Sequence, residues 1–153
     1  MKYILFFSLI VSAGKSQVTG LEGWDLFIDP GHSRDENMGI NGYSEAKEVL
    51  RVGLHLMDIF ENQTDIDTVY ISRTNDSQSV SLYQRTNYAN TVGASWYHSI
   101  HSDASSNINS NKTLLLWGQL YNGNPDPPVG GEEMSSYMIN ILTAGMRIQT
   151  TGS

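Results

Sequence analysis

Four histidines, His32, His55, His98 and His101, are the residues in this sequence best able to hold a metal or move a proton. His32 follows Asp29-Pro30-Gly31 at the end of one apolar run and His101 ends another, so both are expected beyond the carboxyl ends of strands, where open α/β sheets bind ligands. Glu45 falls in the first turn of a helix opened by Ser44, where the helix N-terminus favours a carboxylate. Two imidazoles and one carboxylate form the donor set of many hydrolytic zinc sites, which leaves a fourth position for water. Three such residues on three loops also occur by accident, and spacing alone does not decide between the two readings. Asp103, two residues past His101, reads either as a partner that orients an imidazole or as a loop cap, and Asp29 has the same ambiguity. His55 falls on the polar side of its helix and reads as solvated. His98 has the opposite strand parity to His101 and points to the other sheet face, as a packed histidine would. Trp96 and Trp117 read as core residues in strands.

The elements that must position these groups follow from apolar periodicity. Trp24 to Asp29 is a strand stopped by Pro30-Gly31, and a Gly- and Asn-rich loop runs on to Tyr43. Ser44 caps a helix whose apolar line is Val49, Leu50, Gly53, Leu54, Met57 and Phe60. Thr68 to Ser72 is a second strand. Ser81-Leu82-Tyr83-Gln84 is a capping box opening a helix with Leu82, Arg85, Ala89 and Val92 on one side. Ser95 to His101 and Thr113 to Gln119 are two further strands. Met134, Tyr137, Met138, Ile141 and Leu142 line a last helix, with Glu132 and Glu133 in its first turn. The order β-α-β-α-β-β-α predicts an α/β fold: an open, mostly parallel sheet with helices packed on it. The polar end Gln149 to Ser153 shows no strand after the last helix, where an α/β unit returns to its sheet, so the domain is expected to be incomplete at its C-terminus.

Composition narrows the classes. The chain has 153 residues, 39% of them hydrophobic, enough for one domain with a core. Nine basic against 16 acidic residues give a net charge of −7, and no basic patch is present to meet a phosphate backbone; nucleic acid is not an expected partner. Lys2, the apolar run Tyr3 to Ser12 and the small residues to Ala13 have the form of a secretory signal peptide, residues 1–13, too short to span a bilayer. The protein is therefore expected to be exported to the periplasm, cell envelope or exterior, without stable membrane insertion. It has no cysteine, which excludes a disulfide scaffold, a thiolate metal site and a cysteine nucleophile.

Five stretches carry a resemblance. Ile28 to His32, Gly39 to Glu45, Ser72 to Asp76, Val80 to Asn90 and Ser99 to Ala104, in that order, resemble the zinc-dependent N-acetylmuramoyl-L-alanine amidases that cut peptidoglycan. The resemblance implies an amidase catalytic domain over residues 24–153, zinc held by His32, Glu45 and His101, and peptidoglycan stem peptides as substrate. It also implies structural roles for Asp76 and Arg85 in tying loops to the sheet. Ala46 stands where the family usually has Lys after the glutamate ligand. The family's general acid/base is a glutamate on a strand after the last helix; no residue here matches it, and Glu132 and Glu133 lie in the wrong element. A chain ending at Ser153 is therefore expected to assemble the metal triad but to hydrolyse at least about 100-fold more slowly than one that carries that glutamate. Two other readings remain open on sequence: an exported, metal-containing peptidoglycan-binding module without catalysis, and a related zinc peptidase.

Overall fold

The computed structural model describes residues 17–34, 36–103, 107, 109, 112–118, 130–146 and 149–150. The segment 1–13, expected as a signal peptide, lies outside them. The chain divides into two compact units that meet in sequence between Ala104 and Ser105, each described here by itself.

The first unit contains β1 (Asp25–Pro30), α1 (Glu45–Gln63), β2 (Thr68–Ile71), α2 (Leu82–Val92) and β3 (Trp96–Ile100). Its sheet is entirely parallel in the order β2-β1-β3, with Leu26 opposite both Val69 and Trp96 and Ile28 opposite both Ile71 and His98. The central strand β1 is buried on both faces, as the unbroken run Leu26-Phe27-Ile28 requires. On one face Leu26, Ile28 and Val69 form a core with Leu56, Met57 and Phe60 of α1 and with Trp96 and Ile100. On the other, Phe27 stacks on Tyr97 at 5.4 Å and meets the edge of Tyr88 from α2 at 5.2 Å. This is the expected open parallel sheet with helices packed on it.

Both helix starts are the capped ones expected. Ser44 accepts a bond from the Lys47 N–H, and Ser81 and Gln84 complete a reciprocal capping box. The inward faces need correction. In α1 the expected Val49, Leu50 and Gly53 are buried and Met57 and Phe60 pack partly buried against the core with Leu56 beside them, while Leu54, about 100° round from Gly53, is exposed. In α2 the buried residues are Arg85 and Ala89, and Leu82 at the helix start is exposed.

The second unit holds β4 (Lys112–Thr113), α3 (Gly131–Met146) and β5 (Gln149–Thr150), with α3 packed against both strands. The strand expected over Thr113 to Gln119 is only two residues long, because its parallel partner β5 pairs with Lys112 and Thr113 alone. Trp117 is thus half-buried outside any strand, against Gly131, rather than in one. β5 also corrects the expectation that no strand follows the last helix. Two polar residues forming backbone hydrogen bonds show no apolar alternation by which to find them. α3 buries Ser135 and Ile139 instead of the expected Met134, Tyr137 and Ile141, which are exposed. No helix among the described residues is long and apolar enough to cross a membrane.

Candidate metal centre

β1 delivers its C-terminal residues into a turn held by two arginines. Gly31 N–H still bonds to Ile100 O across the sheet at 2.8 Å, and His32 then turns away with φ 55. Arg34, Asn37 and Asn41 are also left-handed, so among its described residues the loop carries four non-glycine residues in a region that costs roughly 1 kcal/mol or more each. What holds it is charge-assisted bonding to backbone. Arg85 Nη1 donates to Pro30 O at 2.8 Å and to Asp29 Oδ1 at 2.7 Å, and its Nη2 donates to His32 O at 2.7 Å. Arg73, 1% exposed, donates to Pro30 O, Gly31 O and Ala46 O at 3.2, 2.9 and 2.6 Å, and so binds the turn to the start of α1. Burial pulls the Arg73 pKa below its usual value, and Asp76 at 3.5 Å opposes that shift.

These constraints place His32 beside the first residue of α1. Glu45, 6% exposed, presents Oε2 to His32 Nε2 at 3.4 Å and Oε1 to His101 Nδ1 at 3.3 Å. The two rings stand edge to face, centroids 4.8 Å apart and planes at 88°, and one donor atom from each of the three residues lies within 4.8 Å of the others. Glu45 Oε1 also accepts the Ser102 N–H at 2.7 Å, and Oε2 accepts Asn37 Nδ2 at 3.0 Å. His101 packs so close to the turn that a Cβ on Gly31 would stand 2.3 Å from its ring. The donor set fits zinc: two imidazole nitrogens and one carboxylate, with no Lys or Arg within ion-pair distance of the buried Glu45 among the described residues.

The other candidates separate cleanly. Asp29 is buried, and its carboxylate bonds to Arg85, Ser72 (2.7 Å) and Tyr97 (2.5 Å) instead of an imidazole, so it acts on His32 only through Arg85. Asp103 is exposed, two residues beyond His101. His55 is exposed on α1. His98 shares the α1 face of the sheet with Trp96 and Ile100, and burial lowers its pKa from the ordinary 6.5. Glu132 and Glu133 are exposed in the first turn of α3. Sequence reasoning missed Asn37 and Arg73. Arg73 lies two residues past the end of β2 within one of the recognised stretches, a position from which a side chain can reach the neighbouring strand end. Asn37 lies in a Gly/Asn-rich loop, and its type gives no signal there.

Comparisons with known proteins point to one family. A family model described as N-acetylmuramoyl-L-alanine amidase matches residues 26–123. The N-acetylmuramoyl-L-alanine amidase CwlM of Bacillus licheniformis is 44% identical over 80 residues, 52% of this chain and 31% of that protein. The sporulation-specific N-acetylmuramoyl-L-alanine amidase of Bacillus subtilis (strain 168) is 43% identical over 77 residues, 50% of this chain and 30% of that one. The match thus spans about a third of the length of these two relatives. Among solved structures, the amidase AmiC2 of Nostoc punctiforme is 27% identical with a TM-score of 0.50, covering 57% of this chain and 48% of that one. The N-acetylmuramoyl-L-alanine amidase of Clostridium difficile 630 shares the fold at a TM-score of 0.63 and 23% identity, covering 88% of this chain and 72% of its own. The family match begins on the central strand and takes in His32, Glu45 and His101 together with both arginines that hold the turn, and on that match the chain belongs to the N-acetylmuramoyl-L-alanine amidase family.

Proposed function

We propose that this chain performs zinc-dependent hydrolysis of the amide joining N-acetylmuramic acid to L-alanine in peptidoglycan, with His32, Glu45 and His101 as the zinc ligands. The observation that carries the reading is the convergence of those three donors at the carboxyl ends of β1 and β3 and the start of α1 in a chain of this family. Amide hydrolysis at neutral pH needs an activated water and a polarised carbonyl. Bound zinc supplies both, lowering the pKa of a bound water to about 7 and acting as a Lewis acid.

The chain's own residues make the centre rigid. The Ser102 N–H and the Asn37 amide fix the Glu45 carboxylate, Arg73 and Arg85 hold the carbonyls from Pro30 to His32, and Asp29 locks Arg85. Tyr97 stays a neutral donor to Asp29, since burial and that hydrogen bond push its phenol above its ordinary pKa. Asp103 is proposed as an outer partner of the His101 region. Export, with residues 1–13 removed as a signal peptide, places such an enzyme with its substrate.

The test is product identity. Purified peptidoglycan incubated with the zinc-loaded protein is expected to release stem peptides with a free L-alanine amine, a chelator should stop the release, and zinc should restore it. Cleavage of plain peptides with no new N-terminal alanine from peptidoglycan would instead assign a peptidase, and no release above the chelated control would contradict catalysis.

A further inference from the structure

Arg34 is exposed in the loop that follows β1, on the same rim of the sheet as His32, Glu45 and His101. Two bonds fasten it to the loop after β2: its backbone N–H donates to Asp76 O at 3.0 Å and its Nε to Ser77 O at 3.2 Å. With φ 53 it holds a backbone conformation that glycine adopts without cost, so a long cationic side chain is kept here against the local preference. Among the described residues the guanidinium makes no other hydrogen bond and no ion pair. The described carboxylates of the two loops face elsewhere, since Glu36 Oε2 accepts the Ser33 N–H at 3.1 Å and Asp76 Oδ1 stands 3.5 Å from Arg73 Nη1. Because Nε is the atom held, the open edge is the pair Nη1 and Nη2, whose parallel N–H groups match the two oxygens of a carboxylate.

We propose that Arg34 is a specificity-determining residue, whose Nη edge takes a free carboxylate on the stem peptide within two residues of the bond to be cut and so lays the peptide over the β2 side of the centre. This rests on the reading of the chain as a peptidoglycan amidase and names the part of the substrate which that reading leaves open. The carboxyl of muramic acid is consumed in the amide, so the substrate's negative charge near the bond lies on the peptide side. His32 and Arg34 are two residues apart, at most about 7 Å between Cα atoms, which is the reach of the first two residues of an extended peptide. In a chain of net charge −7, a fixed cation at the rim favours one path for an anionic peptide over the others.

The test compares two ligands that differ in one group: N-acetylmuramyl-L-alanyl-D-glutamate with its α-carboxyl free, and the same compound with that carboxyl as an amide. Binding to the zinc-loaded protein is read by NMR titration. The parent is expected to bind the acid about 3- to 10-fold more tightly than the amide, the worth of one exposed bidentate charge pair, and about 0.5 M salt should remove most of that preference. Arg34→Gln should bind both forms alike, with the parent's affinity for the amide and the parent's melting temperature. Arg51→Gln, which removes the same charge from an exposed ion pair with Glu48 on α1, should keep the preference. Equal binding of acid and amide by the parent, or a preference that survives in Arg34→Gln or in salt, overturns the proposal and leaves the amidase reading standing. Binding of neither form by the parent counts against that reading, and the role of Arg34 falls with it.

Discussion

Arg85 and Asp29 meet at 2.7 Å with both side chains 4% exposed, and the same guanidinium carries the carbonyls of Pro30 and His32. Removing one partner of such a pair leaves a buried charge without compensation, so Arg85→Met is expected to lower the unfolding free energy by about 3–5 kcal/mol in urea denaturation. A loss below 1 kcal/mol would mean the pair is not buried as described. Gly31 makes a different prediction at the same turn. A Cβ there would stand 2.3 Å from the His101 ring, a side chain that can move but whose movement takes a donor out of place. Gly31→Ala should therefore weaken zinc binding at least tenfold while changing little of the melting temperature without zinc. Unaltered zinc affinity would show that His101 does not need its present position. The three proposed ligands were named in sequence through the family resemblance; that His32 and His101 each follow an apolar run and Glu45 a helix cap made the grouping coherent without deciding it. Asn37 was not, because one asparagine among several in a turn-rich loop has no periodicity and makes its contacts only after the chain has folded.

The elements of the first unit were legible for a physical reason: Leu26-Phe27-Ile28 is too uniformly apolar for anything but a strand buried on both faces, and Ser44 and the Ser81/Gln84 box mark helix starts by chemistry. Helix faces were harder. α3 has apolar residues on more than one side, and the small Ser135 occupies an inward position that a count of hydrophobic residues assigns outward. β5 escaped notice because a two-residue polar strand leaves no pattern to detect, and β4 was expected longer because the apolar run after Thr113 reads as strand. β3 carries a pH dependence of its own. Burial holds His98 below its ordinary 6.5, so the unfolded chain takes up the proton first. The stability given by the neutral ring is present above 6.5 and is lost as pH falls through the folded value. The melting temperature should accordingly drop on going from pH 7.5 toward pH 5, and the His98→Leu variant should show a shallower drop. Identical slopes for the two proteins would remove His98 from the account.

At the scale of the molecule, the proposed metal centre joins residues that the chain keeps far apart: the end of β1, the start of α1 and the residue after β3. A ligand that binds only this assembled arrangement stabilises the whole first unit by mass action, by about 2.7 kcal/mol at 100 times its dissociation constant. Zinc should therefore raise the melting temperature of the parent and leave that of His32→Ala where it was. The acidic net charge of −7 adds no competing site of this kind: among the described residues this is the one cluster of three histidine or carboxylate donors close enough to share an ion. The most direct measurement is zinc content after exhaustive dialysis. The parent and His55→Ala are expected to retain one zinc per chain and His32→Ala none; zinc retained equally by His32→Ala and the parent would contradict the assignment of His32, Glu45 and His101 as the metal centre.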